Sequence, residues 1–233
     1  MKVALLGYGK MGKAIEEIAV SRNHVIVSKL DKDFIEGDLS NADVAINFSV
    51  PKSAKENILQ GLKLEIPVIS GTTGWLNEMK LVEEYCLKNN GTFLYSSNFS
   101  IGVNLFFKLN ELLSQLIKPH SEYKPKLNEI HHIHKLDSPS GTAIKLAESI
   151  VENSDYKGWT LDKEFKENQI IINVERIGEN PGNHSVCYNS SIDSIKIEHI
   201  ANSREGFALG AVLAAEWIKN KKGLFEMKDV LNL

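Results

Sequence analysis

The stretch Val3-Ala4-Leu5-Leu6-Gly7-Tyr8-Gly9-Lys10-Met11-Gly12 decides how the first part of this chain is read. Four apolar residues closed by a glycine have the pattern of a short buried strand. Gly7, Gly9 and Gly12 then make a G-x-G-x-x-G, and the residues after it carry apolar groups at helical spacing. A strand, a glycine turn and a helix opening a βαβ unit form the setting in which this motif binds a dinucleotide. Gly7 permits the tight turn, Gly9 lets the backbone approach a pyrophosphate, and Gly12 lets helix and strand pack closely. The helix N-terminus offers unpaired N–H groups and the positive end of its dipole to the phosphates. Gly7, Tyr8, Gly9, Lys10, Met11 and Gly12 are therefore candidate cofactor contacts. A glycine turn with no ligand is the bland alternative, and the strand–turn–helix frame argues against it.

The pattern continues outward. His24–Leu30, Asp43–Phe48, Pro67–Ser70 and Thr92–Tyr95 read as further buried strands, and Met11–Arg22, Ser53–Leu62 and Leu76–Lys88 as helices between them. Alternating βα units predict a Rossmann-type parallel sheet with right-handed crossovers. The segment Asp31–Ala42 is short and polar, at the lower limit for a crossover. A helix there would be short, giving a trimmed doubly wound sheet.

Asp31 ends the second strand about 20 residues beyond Gly12, where an acidic residue takes the adenosine ribose hydroxyls. Lys29 and Lys32 flank it and leave room for a 2′-phosphate. NADH or NADPH both fit, and the residues predict that NAD is used at least as well as NADP. Three loops come next at the carboxyl ends of strands, where ligands bind in such sheets. They supply the candidate cofactor contacts Phe48, then Gly71, Thr72 and Thr73, then Ser96, Ser97, Asn98 and Phe99. Turn chemistry would explain any one of these loops alone.

From Ile101 the character changes. Asn104–Ile117 reads as a helix with Leu105, Leu109, Leu112, Leu113 and Leu116 on one side. Leu127–Leu136, Gln169–Arg176, His184–Tyr188 and Ser194–Ile200 read as four strands, with a helix over Thr142–Glu152. This predicts an α+β second domain with a mixed sheet. Residues 206–219 and Leu224–Leu231 read as helices.

The chain has 233 residues, enough for one large domain or two small ones. With 27 Lys+Arg against 30 Asp+Glu the net charge is −3, which argues against a strongly basic nucleic-acid binder. At 42% hydrophobic and 24% charged the composition is that of an ordinary globular protein. No apolar run reaches the ~18 residues of a membrane span, and the N-terminal apolar stretch is too short for a signal peptide. Cys86 and Cys187 stand in unrelated contexts, so the natural reading is two unpaired thiols in a reducing cytoplasm.

The densest polar constellation is Glu129-Ile130-His131-His132-Ile133-His134-Lys135-Leu136-Asp137, which holds three of the chain's 7 histidines. On a strand over Leu127–Leu136 the side chains alternate. Glu129, His131 and Lys135 would then share one face, and His132 and His134 the other. Zinc would need three or four convergent ligands, and no further His/Cys/Asp cluster stands out, so no metal is expected. The residues after Asp137 point to anion binding instead. Ser140 is a candidate N-cap, and Gly141 and Thr142 would present N–H groups and a hydroxyl at a helix N-terminus. Lys135 adds a cation, and His131 with Lys135 could transfer protons near neutral pH.

These residues resemble the 4-hydroxy-tetrahydrodipicolinate reductase (dihydrodipicolinate reductase) family. Its signature, E-x-H-H-x-x-K-x-D-x-P-S-G-T-A, matches Glu129 through Ala143 in full. Supporting matches are Gly7–Gly12, Gly71–Gly74, Asn98–Asn104, Arg176 with Gly178, Ser203-Arg204 and Phe207–Ala211. The resemblance implies an oxidoreductase of lysine and diaminopimelate biosynthesis acting on a cyclic dicarboxylate. Hydride would pass to ring C4 after the 4-hydroxyl leaves as water, and the enamine would then be protonated. By the resemblance, His131 and Lys135 are catalytic, while His132, Lys135, Ser140, Gly141 and Thr142 bind substrate. Which of His131 and Lys135 delivers the proton does not follow from sequence. The resemblance also implies a homotetramer and two domains. Residues 1–101 and 205–233 would bind the dinucleotide, and 102–204 would bind substrate and oligomerise. A different nicotinamide-linked dehydrogenase and a non-catalytic NAD sensor are the competing readings.

Overall fold

The computed structural model describes residues 1–162, 167–203 and 205–233. They form two compact units, Met1–Ile101 with Glu205–Leu233, and Gly102–Arg204. Arg204, part of the resemblance and one expected boundary, lies outside the described residues.

The first unit begins with β1 (Lys2–Leu6), α1 (Lys10–Ser21), β2 (Val25–Asp31), β3 (Phe34–Gly37) and β4 (Val44–Asn47). It continues through α2 (Pro51–Lys63), β5 (Val68–Ser70), α3 (Met79–Lys88) and β6 (Thr92–Tyr95). The second unit holds most of α4 (Ile101–Ile117), then β7 (Lys124–His131), α5 (Gly141–Glu152), β8 (Gly158–Thr160), β9 (Gln169–Arg176), β10 (Asn183–Asn189) and β11 (Ser194–Ile200). The chain then returns to the first unit with α6 (Glu205–Ile218), β12 (Gly223–Phe225) and α7 (Met227–Leu231).

The first sheet has 7 strands in the order β12-β6-β5-β4-β1-β2-β3. All its pairs are parallel except β2 with β3. Because both faces are covered, β1 is apolar throughout its buried length. Val3 and Leu5 pack with Ile15, Ala19, Ala211 and Ala215 on one side. Ala4 and Leu6 pack with Ile58 and Val82 on the other.

One expectation is sharpened in this unit and one is corrected. Asp31–Ala42 contains no α-helix: the chain turns back after Asp31 and adds β3 antiparallel to β2, pairing Asp31 with Phe34 and Ser28 with Gly37. The segment is too short to cross over as a helix, and Phe34-Ile35 suits an edge strand. A short 3-10 turn over Leu39–Asn41, capped by Asp38 accepting from Ser40 N at 2.8 Å, leads to β4. The C-terminal stretch is also not one helix. Leu224 and Phe225 lie in β12, pairing with Phe93 and Leu94 of β6.

The second sheet has 5 strands, β11-β10-β7-β9-β8. β7 and β8 run parallel to β9, while β10 runs antiparallel to β7 and β11, so the sheet is mixed. β8 is one strand more than the sequence pattern predicts. Leu127, Ile170, Ile172, Val186 and Tyr188 pack under α4 and α5, against Phe106, Leu146 and Ile150. The structure also fixes which side of α4 faces inward. Leu105, Leu109, Leu112 and Leu116 are exposed, and the helix buries Val103, Phe106, Asn110, Ser114 and Ile117. The buried stripe contains two polar residues, which hid it from a reading by hydropathy. Asn110 Nδ2 donates to Leu146 O at 3.0 Å and so belongs inside.

Among the described residues no helix is long and apolar enough to cross a membrane.

Candidate active site

The glycine turn is built by close approach. Gly7 has φ +102° and donates its N–H to Leu30 O at 2.7 Å; a Cβ there would lie 2.3 Å from Phe48 O. A Cβ on Gly12 would lie 2.4 Å from Gly7 O. At Gly9, the N-cap of α1, a Cβ would meet nothing within 4 Å, and no side chain caps the helix. Lys10 and Met11 form the first turn beside this open space. An uncapped helix end facing an open glycine fits a dinucleotide pyrophosphate.

Asp31 reaches back over the turn. Its Oδ2 accepts from Tyr8 N at 3.0 Å and its Oδ1 from Lys32 N at 2.7 Å. The carboxylate is half-buried and keeps lone pairs for ribose hydroxyls.

The other predicted cofactor residues lie at the carboxyl ends of β4, β5 and β6, which are neighbours in the sheet. The Phe48 ring packs 5.5 Å from that of Phe99, and Gly71 lies flat against it, since a Cβ would come within 2.3 Å of the ring. Buried Thr72 Oγ1 accepts from Ser49 N at 2.9 Å, and Asn47 Nδ2 donates to Ser70 Oγ at 2.9 Å. Asn47 therefore ties these loops together, a role its place in the sequence did not reveal. Ser96 Oγ donates to Asn98 O at 2.7 Å, and Asn98 Oδ1 accepts from Ser100 N at 2.9 Å. Thr73 and Ser97 are on the open side of these loops, Thr73 exposed and Ser97 the residue between Ser96 and Asn98. Phe99 is buried and supports the site from behind.

The second constellation is organised by strand register. β7 opposite β10 pairs Glu129 with His184, and β7 opposite β9 pairs His131 with Arg176. Glu129, fully buried, is the hub. Its Oε1 accepts from Arg176 NH1 at 2.9 Å and lies 3.7 Å from His131 Nδ1. Its Oε2 accepts from Ser140 N at 2.8 Å. Burial alone would raise its pKa; the His131, Ser140 and Arg176 donors outweigh that and hold it at about 2. The His131 and His184 rings meet edge to face at 5.0 Å. Burial, then the charge of His131, push the His184 pKa down to about 4.

Ser140 caps α5 as expected, accepting from Ala143 N at 3.1 Å. Its Oγ also meets His184 Nε2 at 3.1 Å. Gly141 is exposed with open space beside it, and Thr142, next in the chain, is half-buried.

Lys135 requires a correction. β7 ends at His131, not Leu136, because Lys135 N turns back to His132 O at 3.2 Å. Strand alternation therefore does not place Lys135. Its Nζ instead holds both Asp137 oxygens at 2.8 Å. Arg176 ties this loop to the hub, donating to Asp137 O at 2.7 Å. The half-buried His132 ring lies 6.1 Å from that of His134.

Glu129, His131 and His184 bring possible metal-ligand atoms within 4.8 Å of one another. The donor set does not suit a cation, because the Glu129 oxygens already hold a guanidinium and a backbone N–H. Sequence reasoning missed His184 and gave Arg176 no role. Only the register brings them to Glu129.

Known proteins match along the whole chain. Family models match at residues 1–99 (dihydrodipicolinate reductase, N-terminus) and 102–231 (dihydrodipicolinate reductase, C-terminus). A 4-hydroxy-tetrahydrodipicolinate reductase of Christiangramia forsetii is 54% identical over 235 residues, covering 100% of this chain and 98% of the relative. One from Archaeoglobus fulgidus is 35% identical over 262 residues, covering 99% and 100%. The solved structure of dipicolinate-bound dihydrodipicolinate reductase from Paenisporosarcina sp. TG-14 has the same fold, with TM-score 0.81 at 23% identity over 98% of each chain. With both halves matched and relatives this similar, the chain belongs to the dihydrodipicolinate reductase family, the NAD(P)H-dependent oxidoreductases of lysine and diaminopimelate biosynthesis.

Proposed function

We propose that the chain reduces 4-hydroxy-tetrahydrodipicolinate to tetrahydrodipicolinate, with the first unit as dinucleotide-binding domain and the second as substrate-binding and oligomerisation domain. The observation that carries this reading is the buried Glu129 hub, which fixes His131 and Ser140 together and, through Arg176, the loop bearing Lys135.

A bound NADH or NADPH supplies the hydride. The 4-hydroxyl leaves with one ring proton as water, C4 accepts the hydride, and the enamine so formed takes one proton back. His131 handles protons next to a carboxylate that stays ionised and stabilises the imidazolium. Lys135 exchanges Asp137 for a substrate carboxylate, clamps it and donates a proton. Ser140, Gly141 and Thr142 offer the start of α5 to a carboxylate, and His132 is a further substrate contact. Gly7–Gly12, Asp31, Phe48, Gly71–Thr73 and Ser96–Phe99 hold the cofactor.

A homotetramer in the cytoplasm completes the reading, with no nucleic-acid or membrane partner. The exposed leucine face of α4 is the kind of apolar surface that subunits cover.

The test is NADH oxidation with substrate made in situ by condensing pyruvate with aspartate semialdehyde. Turnover that requires both precursors supports the proposal. Oxidation only with amino-acid imines or aldehydes would replace it with another dehydrogenase activity, and binding of NADH without turnover would favour a sensor.

A further inference from the structure

Lys29 lies on the same face of β2 as the ribose-binding acid, two residues before Asp31. Both bracket Tyr8: Asp31 accepts from its backbone N–H, and Lys29 Nζ lies 4.9 Å from its ring centroid. Lys29 is nevertheless committed elsewhere. Its Nζ lies 2.9 Å from Glu16 Oε1 and 3.9 Å from Glu36 Oε2, and its side chain is 17% exposed. The Tyr8 hydroxyl donates to the same Glu16 carboxylate and holds it in place. Glu16 comes from α1, so the helix that begins at the glycine turn also carries the counter-ion.

We infer that Glu16 is a specificity-determining residue of the nucleotide site: by holding Lys29, it withholds that cation from a 2′-phosphate and favours NADH over NADPH. The inference rests on the dinucleotide-binding reading above. A ribose 2′-hydroxyl is neutral and donates to Asp31. A 2′-phosphate brings a charge of about −1.5 to −2 up to Asp31, Glu16 and Glu36. To meet it, Lys29 would have to abandon Glu16 and leave that partly buried carboxylate facing the phosphate. Lys32, exposed in the β2–β3 turn, is a separate cation that this lock does not touch. Glu16 acts through Lys29 and is a positioning residue, not a catalytic one.

The test needs no turnover. Titration calorimetry measures 5′-AMP and adenosine 2′,5′-bisphosphate on the wild type, Glu16→Gln, Lys29→Met and the double variant. Releasing Lys29 in Glu16→Gln is expected to improve binding of the bisphosphate relative to AMP by about tenfold, the gain from one charge-assisted hydrogen bond. Lys29→Met alone is expected to lower the ratio by no more than about threefold, the effect of the Glu16 carboxylate it leaves unpaired, since the lysine itself makes no contact to the phosphate. The double variant loses the gain. The ratio kcat/KM(NADPH) over kcat/KM(NADH) moves in the same order. An unchanged ratio in Glu16→Gln would overturn the inference. So would a tenfold loss of bisphosphate in Lys29→Met, which also decides the matter should Glu16→Gln fail to fold. If the wild type binds neither nucleotide, the dinucleotide reading itself fails; if AMP binds with an unchanged ratio, only the Glu16 lock does.

Discussion

Asp31 and Glu129 each stand near the end of a strand, and each organises one unit's constellation, but in opposite ways. Asp31 is half-buried and held by the N–H groups of Tyr8 and Lys32, which aim it while leaving it accessible. Glu129 is fully buried among Arg176, Ser140 N–H and His131. The first suits a carboxylate that must itself touch a ligand. The second suits one whose work is to fix its neighbours and keep a negative charge beside an imidazole. Burying that charge is tolerable only because its donors surround it.

The comparison can be broken most severely at the residue Glu129 serves. His131→Gln keeps the shape and removes the titrating group, so kcat is expected to fall by about 10²–10⁴-fold. Nucleotide affinity, set in the first unit, should stay at the wild-type value; steady-state kinetics and a nucleotide titration check both. Glu129→Ala removes the hub itself and strands Arg176. A stability loss of about 3–5 kcal/mol in denaturant unfolding is expected, whereas Asp31→Asn should unfold like the wild type.

Acid titration sharpens the same contrast. Glu129 titrates at about 2 in the folded chain against 4.5 when unperturbed, so its contribution is full above 4.5 and is lost as pH falls toward 2. His184, lowered from 6.5 to about 4, stays neutral in the folded chain while the unfolded chain takes up a proton. Its effect has the same sign: stability falls as pH drops from 6.5 to 4. Thermal unfolding across this range should show a continuous acid loss, with the lower part missing in Glu129→Gln. A smaller loss than at Glu129 is expected at Ser140→Ala, about 1–2 kcal/mol for the N-cap and the contact to His184 Nε2, while the N–H bond to Glu129 survives.

The legible parts of the molecule were those fixed by neighbours in sequence. Gly7–Gly12 announces a strand, a turn and a helix because the whole motif lies within one short stretch of chain. Ser140 announces a helix start because capping is local. The concealed parts depend on partners far along the chain. His184 and Arg176 reach Glu129 only through the register of β10 and β9 on β7. Lys135 is placed by the loop after β7 and not by strand alternation, because β7 stops at His131. Asn110 and Ser114 disguised the buried side of α4, and the short segment after β2 has room for an edge strand and a single 3-10 turn but not for an α-helix. The candidate residues were found by motif; the forces that hold them were not.

The division of labour between the two carboxylate sites is tested most directly by a crossed titration. Asp31→Asn and Lys135→Ala are each titrated with NADH and, separately, with dipicolinate as a stable dicarboxylate. The account predicts that Asp31→Asn weakens NADH by about tenfold and leaves dipicolinate unchanged, and that Lys135→Ala does the reverse. Loss of dipicolinate binding in Asp31→Asn, or of NADH binding in Lys135→Ala, would contradict it.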